Sequence, residues 1–163
     1  MSDSLNFEPY WEGSQLVLVA RYGSKPAREA GRAKGSIDDG IGFLGDIFLE
    51  KEIELQGGFF GMSKKKIPVR GEGFGKQLLA RFEQEMGMKG AVVIQGNLVA
   101  ESPDQLEWLI GWYVGQGYEF RQGETVGEWS PPDTVGIVSK ALPSSACAGG
   151  DSREDTGDAE GSG

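Results

Sequence analysis

The chain contains no histidine and a single cysteine, Cys147, and both shortages narrow its chemistry. Without histidine, Ser-His-Asp and Cys-His catalysis in their usual forms are excluded, and with them the common zinc sites. No metal is expected. A lone cysteine cannot form an intrachain disulfide, which suits a reducing compartment, and a cytoplasmic location is expected. No apolar run approaches the ~20 residues needed to span a bilayer. Met1-Ser2-Asp3-Ser4 also lacks the basic-then-apolar form of a signal peptide, so no membrane partner is expected. Basic residues are in the minority too: 16 Lys and Arg stand against 25 Asp and Glu, for a formal charge of −9. That balance argues against nucleic acid as the main partner and favours a cationic or amine-bearing one.

At 163 residues the chain is long enough for one domain with a real core and too short for two of ordinary size. From Pro143 onward the residues are Ser, Gly, Ala and acids, with Asp151, Glu154, Asp155, Asp158 and Glu160 set against Arg153. Such a composition cannot support a core. A single domain over 1–142 followed by a disordered acidic tail over 143–163 is expected.

Residues 15–20 (Gln-Leu-Val-Leu-Val-Ala) read as a buried strand, with Phe7, Tyr10 and Trp11 packed at the sheet edge. Arg21 to Gly35 is basic and rich in Ala and Gly, and reads as a solvated loop with one turn of helix at most. Ile41 to Leu55 reads mainly as strand, its apolar residues at odd positions on one face and Asp46, Glu50, Glu52 and Glu54 on the other. Gly57-Gly58 marks a turn, Phe59 to Met62 a return strand, and Ser63 to Lys66 a polar connection. Ala91 to Ile94 has the continuous apolar character of a central strand. Ser102-Pro103-Asp104-Gln105 then combines an N-cap serine, a first-position proline and a capping-box glutamine. The helix it opens runs through Leu106, Leu109, Ile110, Tyr113 and Val114 and stops at Gly115 and Gly117. Strands are expected at Tyr118 to Phe120 and at Val135 to Val138.

The most informative stretch is Arg70-Gly71-Glu72-Gly73-Phe74-Gly75-Lys76, leading into a helix with Leu78, Leu79, Phe82 and Met86 on one face. Alternate glycines let a backbone approach an anion closely, and a helix mouth aims unpaired N–H groups and its positive dipole end at one point. This is a phosphate cradle. Its spacing is not that of a nucleotide P-loop, because Gln77 follows Lys76 where Ser or Thr is required. Nor does it fit the dinucleotide pattern G-x-G-x-x-G, since Lys76 stands at the third glycine. It is one residue short of a kinase loop, and no H-R-D or D-F-G follows.

Arg70-x-x-Gly73-x-Gly75 does resemble the R/Q-x-x-G-x-G/A signature with which the GCN5-related N-acetyltransferase (GNAT) family holds the pyrophosphate of coenzyme A. Trp112-Tyr113-x-x-x-Gly117-Tyr118 resembles the F-Y-x-x-x-G-F signature near the family's C-terminus, and Val135 to Leu142 its terminal strand. The resemblance covers roughly Leu49 to Leu142. It implies an α/β fold of the α+β mixed-sheet type, acyl-CoA N-acyltransferase-like, with a central mostly antiparallel sheet flanked by helices. It implies acetyl-CoA as co-substrate, its pyrophosphate held by Gly71, Glu72, Gly73, Phe74, Gly75 and Lys76, with Arg70 bracing the loop. Asn97 matches an asparagine that contacts the pantetheine arm, and Tyr113 the tyrosine beside the thioester sulfur.

The chemistry needs few parts. An amine attacks a thioester through an oxyanion that wants backbone donors, and the thiolate leaves with a conjugate acid of pKa near ~8.5. A tyrosine titrating around ~10 can return a proton as general acid. The base is drawn from Asp46, Glu50, Glu52 and Glu54, with Glu52 taken as the candidate, or is a water chain. The chain departs from the family in having little helix before Arg70. Its N-terminal 1–40 is therefore read as divergent or reduced, and its acceptor side as completed by a partner subunit if the protein is a homodimer. The expected activity is acetyl transfer from acetyl-CoA to a primary amine of a small molecule or protein. The alternative is a non-catalytic acyl-CoA-binding or interaction module of the same fold.

Overall fold

The structure, a computed structural model, describes residues 5–23, 27–57, 63–68, 73–125 and 133–143. Eleven elements follow in order: β1 (Leu5–Glu12), β2 (Gln15–Tyr22), β3 (Arg28–Asp38), β4 (Ile41–Leu49), β5 (Glu52–Gly57), β6 (Ser63–Pro68), α1 (Phe74–Met88), β7 (Val93–Val99), α2 (Pro103–Gly115), β8 (Glu119–Gln122) and β9 (Thr134–Ala141). Seven strands form one sheet in the order β1-β2-β3-β4-β7-β9-β8. Every neighbouring pair is antiparallel except β4 and β7, which run parallel. A parallel pair needs a long crossover, and here the crossover contains the β5–β6 hairpin and α1.

The strands expected at 15–20, 118–120 and 135–138 are present as β2, β8 and β9, and of the strand expected at Ala91 to Ile94 only Val93 and Ile94 fall in β7, which continues to Val99. The stretch to Gly35 differs from expectation. It is no loop or helical turn: residues 28–38 form β3 in the middle of the sheet. Its few large apolar residues are the reason it reads as loop and also the reason it works as strand. Ala30 and Ala33 are wholly buried, and Gly35 receives the ring of Phe82, whose Cζ would lie 2.5 Å from a Cβ there. A β-carbon at Gly35 would force α1 off the sheet.

Residues 41–55 are likewise not one strand with a single apolar face. In the β3–β4 ladder Lys34 pairs with Asp46 and Gly35 with Leu44, so Gly45 is left out as a bulge. The bulge shifts the alternation, and Leu44 joins Ile47 and Leu49 against the core. The strand then ends at Leu49. Glu50 lies between strands, and Glu52 and Glu54 belong to β5, so the four carboxylates do not share a face. Ser63 to Lys66, expected as a connection, opens β6 and pairs with β5 in a separate two-stranded sheet. Phe59 to Met62 lie outside the described residues.

α1 turns Leu78, Leu79, Phe82 and Met86, all but unexposed, onto β1–β4. Each such side chain removed from water contributes about 1.5–3 kcal/mol. The same core takes in Tyr113 and, partly buried, Leu106, Leu109, Ile110 and Trp112 from α2. Among the described residues no helix precedes Phe74, and β1 passes to β2 through Gly13 and Ser14 alone. No helix of the described residues is long and apolar enough to cross a membrane.

Candidate active site

β4 and β7 pair only from Ile41 to Leu44 and from Val93 to Gly96. Beyond that point each continues on its outer ladder, β4 with β3 to Leu49 and β7 with β9 to Val99. Two parallel strands that part in this way leave a wedge with backbone polar groups along its walls, and such groups demand partners. The bulge at Gly45 sits where the separation begins.

α1 opens at the wide end of this wedge. Gly73 caps it in the left-handed conformation, φ 82°, with no described atom within 4 Å of where a Cβ would stand. Its carbonyl accepts the Gln77 N–H at 3.1 Å, so the N–H groups of Phe74, Gly75 and Lys76 precede the first helical bond. Among the described residues no side chain caps this end, and no acid lies in its first turn. α2 is treated differently: Ser102 Oγ accepts the Gln105 N–H at 3.1 Å, Pro103 occupies the first position, and Asp104 meets the dipole. Among the described residues nothing meets the positive end of α1, an arrangement that suits an anion.

The mouth of α1 is anchored from below. Phe74 is buried and stacks on Tyr22 with ring centroids 5.4 Å apart. Gly75 is pressed between β4 and α2, since a Cβ there would lie 3.0 Å from Leu49 Cδ1 and 3.3 Å from Trp112 Cζ2. Lys76 is exposed. Arg70, Gly71 and Glu72 lie outside the described residues.

Tyr113 reaches the same place from α2. The W-Y-x-x-x-G-Y spacing is a Schellman closure: the Tyr118 N–H donates to the Tyr113 carbonyl at 3.0 Å, and the Gly117 N–H to the Val114 carbonyl at 2.9 Å. Gly117 has φ 95°, which a glycine adopts without strain. The hydrophobic contact that accompanies such closures is Tyr113 on Tyr118, edge to face at 5.5 Å. Tyr113 also meets Trp112 edge-on at 5.0 Å, and Trp112 touches Gly75, so one indole joins the tyrosine to the helix mouth.

The Tyr113 phenol is 6% exposed, yet its hydroxyl has no hydrogen-bond partner among the described residues. A buried polar group left this way is uncommon and calls for an explanation. Burial, and after it the negative charge of Asp46, pushes its pKa up to about 12. The group therefore stays protonated across the neutral range. Tyr118 is spent otherwise, its hydroxyl donating to Glu83 Oε2 at 2.7 Å while Lys140 Nζ holds Oε1 at 2.9 Å.

Of the candidate bases, Asp46 is exposed on β4 and its charge reaches Tyr113, whereas Glu52, exposed, begins β5 outside the seven-stranded sheet. Asn97 is half-buried on β7, opposite Ile137 of β9, just past the point where β7 leaves β4. Sequence reasoning missed the Trp112–Gly75 contact and the Glu83–Lys140 tie, because both join residues distant along the chain with no local signal. Among the described residues no three His, Cys, Asp or Glu side chains are grouped to hold a metal ion.

A mixed sheet with one parallel pair that splits beside a glycine-capped helix is the acyl-CoA N-acyltransferase fold, and solved structures match it as such. An acetyltransferase of the GNAT family from Staphylococcus aureus Mu50 has a TM-score of 0.57 at 13% identity, over 79% of this chain and 69% of that one. Nourseothricin acetyltransferase has a TM-score of 0.54 at 15% identity, over 86% and 88%. The PaiA N-acetyltransferase from Thermoplasma acidophilum, solved in complex with coenzyme A, has a TM-score of 0.52 at 15% identity, over 79% and 62%. Neither a family model nor a curated protein sequence matches the chain. The likeness establishes a shared GNAT-type fold.

Proposed function

We propose that the protein is an acetyl-CoA-dependent N-acetyltransferase that acylates a primary amine on a small-molecule or protein acceptor in the cytoplasm. One observation carries this reading: the Tyr113 hydroxyl, without a partner among the described residues, is buried beside a wedge whose mouth is a helix N-terminus that no described side chain caps. The residues present fit coenzyme A. Gly73 leaves its outer side open, Gly75 lies flat between Leu49 and Trp112, and the N–H groups of Phe74, Gly75 and Lys76 suit a diphosphate. Arg70, Gly71 and Glu72 would complete the loop, and Asn97 would meet the pantetheine arm on β7. When bound, acetyl-CoA supplies an acetyl group activated as a thioester.

The chain's own residues then have distinct work. Tyr113 holds a proton that neutral solvent cannot remove and can give it to a departing thiolate. Asp46, exposed and electrostatically coupled to Tyr113, takes the proton of an incoming ammonium, a role that Glu52 in β5 is less well placed to fill. The acceptor side has no helix ahead of Phe74 among the described residues and is completed by a second copy of the chain or by the acceptor itself. That reduced acceptor side is also the observation that favours the second reading, a coenzyme A-binding module without turnover.

A coenzyme A-release assay against a mixed amine panel separates the two. Turnover with at least one amine is expected, and Gly73→Asp should abolish cofactor binding by placing a strained, negatively charged residue at the helix mouth. Binding of acetyl-CoA with no turnover across the panel leaves the module. Undiminished binding in Gly73→Asp overturns the cradle assignment.

A further inference from the structure

We infer that Trp108 and Trp112 form a stacking platform for the adenine ring of coenzyme A, an inference that rests on the cofactor reading above. Trp108 is 64% exposed, and its indole lies nearly parallel to that of Trp112, with planes 14° apart and centroids at 6.3 Å. An isolated exposed aromatic needs no explanation. This pair is different, because Trp112 is the residue that touches Gly75 at the mouth of α1.

The direction of the pair matters as much as its position. α2 begins beyond the end of β7, and its buried residue, Tyr113, lies in its last turn, while Val114 and Gly115 are exposed. Trp108 stands one turn nearer the start of α2 than Trp112, a rise of ~5.4 Å, and is exposed where Trp112 is half-buried. Read back from Tyr113, the buried Tyr113, the half-buried Trp112 with Gly75, and the exposed Trp108 succeed one another along the helix. Coenzyme A has a matching order: the thiol arm, the diphosphate, then adenosine. With the thiol end at Tyr113 and the diphosphate at Gly75, the purine emerges on the side where Trp108 presents its face. Every purine has a π-face, so stacking on indole needs no hydrogen-bond readout.

Isothermal titration of wild type, Trp108→Ala and Trp108→Phe with coenzyme A and with 4′-phosphopantetheine, which lacks the adenosine, tests the platform. Trp108→Ala should weaken coenzyme A by roughly five- to 150-fold, the range that base–aromatic stacking gives on alanine substitution. It should leave 4′-phosphopantetheine unchanged, and Trp108→Phe should restore most of the loss. The exposure of Trp108 makes the variant's folding safe to expect, and thermal unfolding checks it. If wild type binds coenzyme A and Trp108→Ala binds it equally well, or loses both ligands in parallel, the platform is overturned while the cofactor reading stands. If wild type binds no coenzyme A, both are overturned.

Discussion

Tyr113 and Tyr118 face each other across the end of α2, both buried and both held protonated, yet the molecule uses them in opposite ways. Tyr118 belongs to a closed knot. Its hydroxyl and the Lys140 ammonium divide the oxygens of Glu83, Lys140 also donates to the Gln116 carbonyl, and three elements are tied together. Tyr113 has the same burial and the same helix end but no partner for its hydroxyl among the described residues. Where every polar group is matched, the site serves stability. Where one is left over beside an opening, it is available for chemistry.

Breaking each tyrosine in turn should separate turnover from stability. The largest effect is expected for Tyr113→Phe, which removes the proposed proton donor and little else. Its kcat should fall by about 10²–10⁴-fold, with acetyl-CoA binding and thermal stability retained because no hydrogen bond to a described residue is lost. Unchanged turnover would show that the hydroxyl is only a core ornament.

A second expected effect concerns alkaline stability. The folded-state pKa of Tyr113 is raised to about 12, above the ~10 of a solvated phenol. The sign follows: its contribution is full below pH ~10 and is lost as pH rises through about 12, an effect on the order of 1–3 kcal/mol. Urea unfolding across that window should show the loss in wild type and a shallower one in Tyr113→Phe. Equal slopes would count against a buried phenol.

Tyr118→Phe sharpens the contrast from the other side. It should cost about 1–2 kcal/mol of stability by taking a donor from Glu83, which still keeps Lys140. Turnover should be nearly unchanged, and a loss of kcat comparable to that of Tyr113→Phe would erase the distinction. The smallest expected shift is in the titration of Tyr113 when Asp46→Asn removes the lesser of the two influences on it. A spectrophotometric titration should show the phenol ionising at lower pH, by less than burial contributes.

How much of this was legible depends on how local its cause is. The caps of α2 could be read directly, because Ser102, Pro103, Gln105 and Gly117 act on backbone within a few residues of themselves. The helix mouth at Gly73 and Gly75 was legible for the same reason. β3 was not, since its small and basic residues become a strand only when β2 and β4 flank it and Phe82 fills the space above Gly35. The phase shift at Gly45 escaped because a bulge is defined by the partner strand, here through Lys34 and Asp46. Glu52 was grouped with Asp46 by counting along a strand that in fact ends at Leu49.

Sequence alone narrowed the chemistry that the chain could carry. The absence of histidine, the alternating glycines ahead of an amphipathic helix and the tyrosine four residues before a glycine are properties of the covalent chain, and each acts through backbone geometry at short range. Only the tertiary structure decided which groups are spent and which are spare. The parting of β4 from β7, the seat of Trp112 on Gly75 and the unmatched hydroxyl of Tyr113 all depend on side chains far apart in sequence competing for the same space and the same hydrogen bonds.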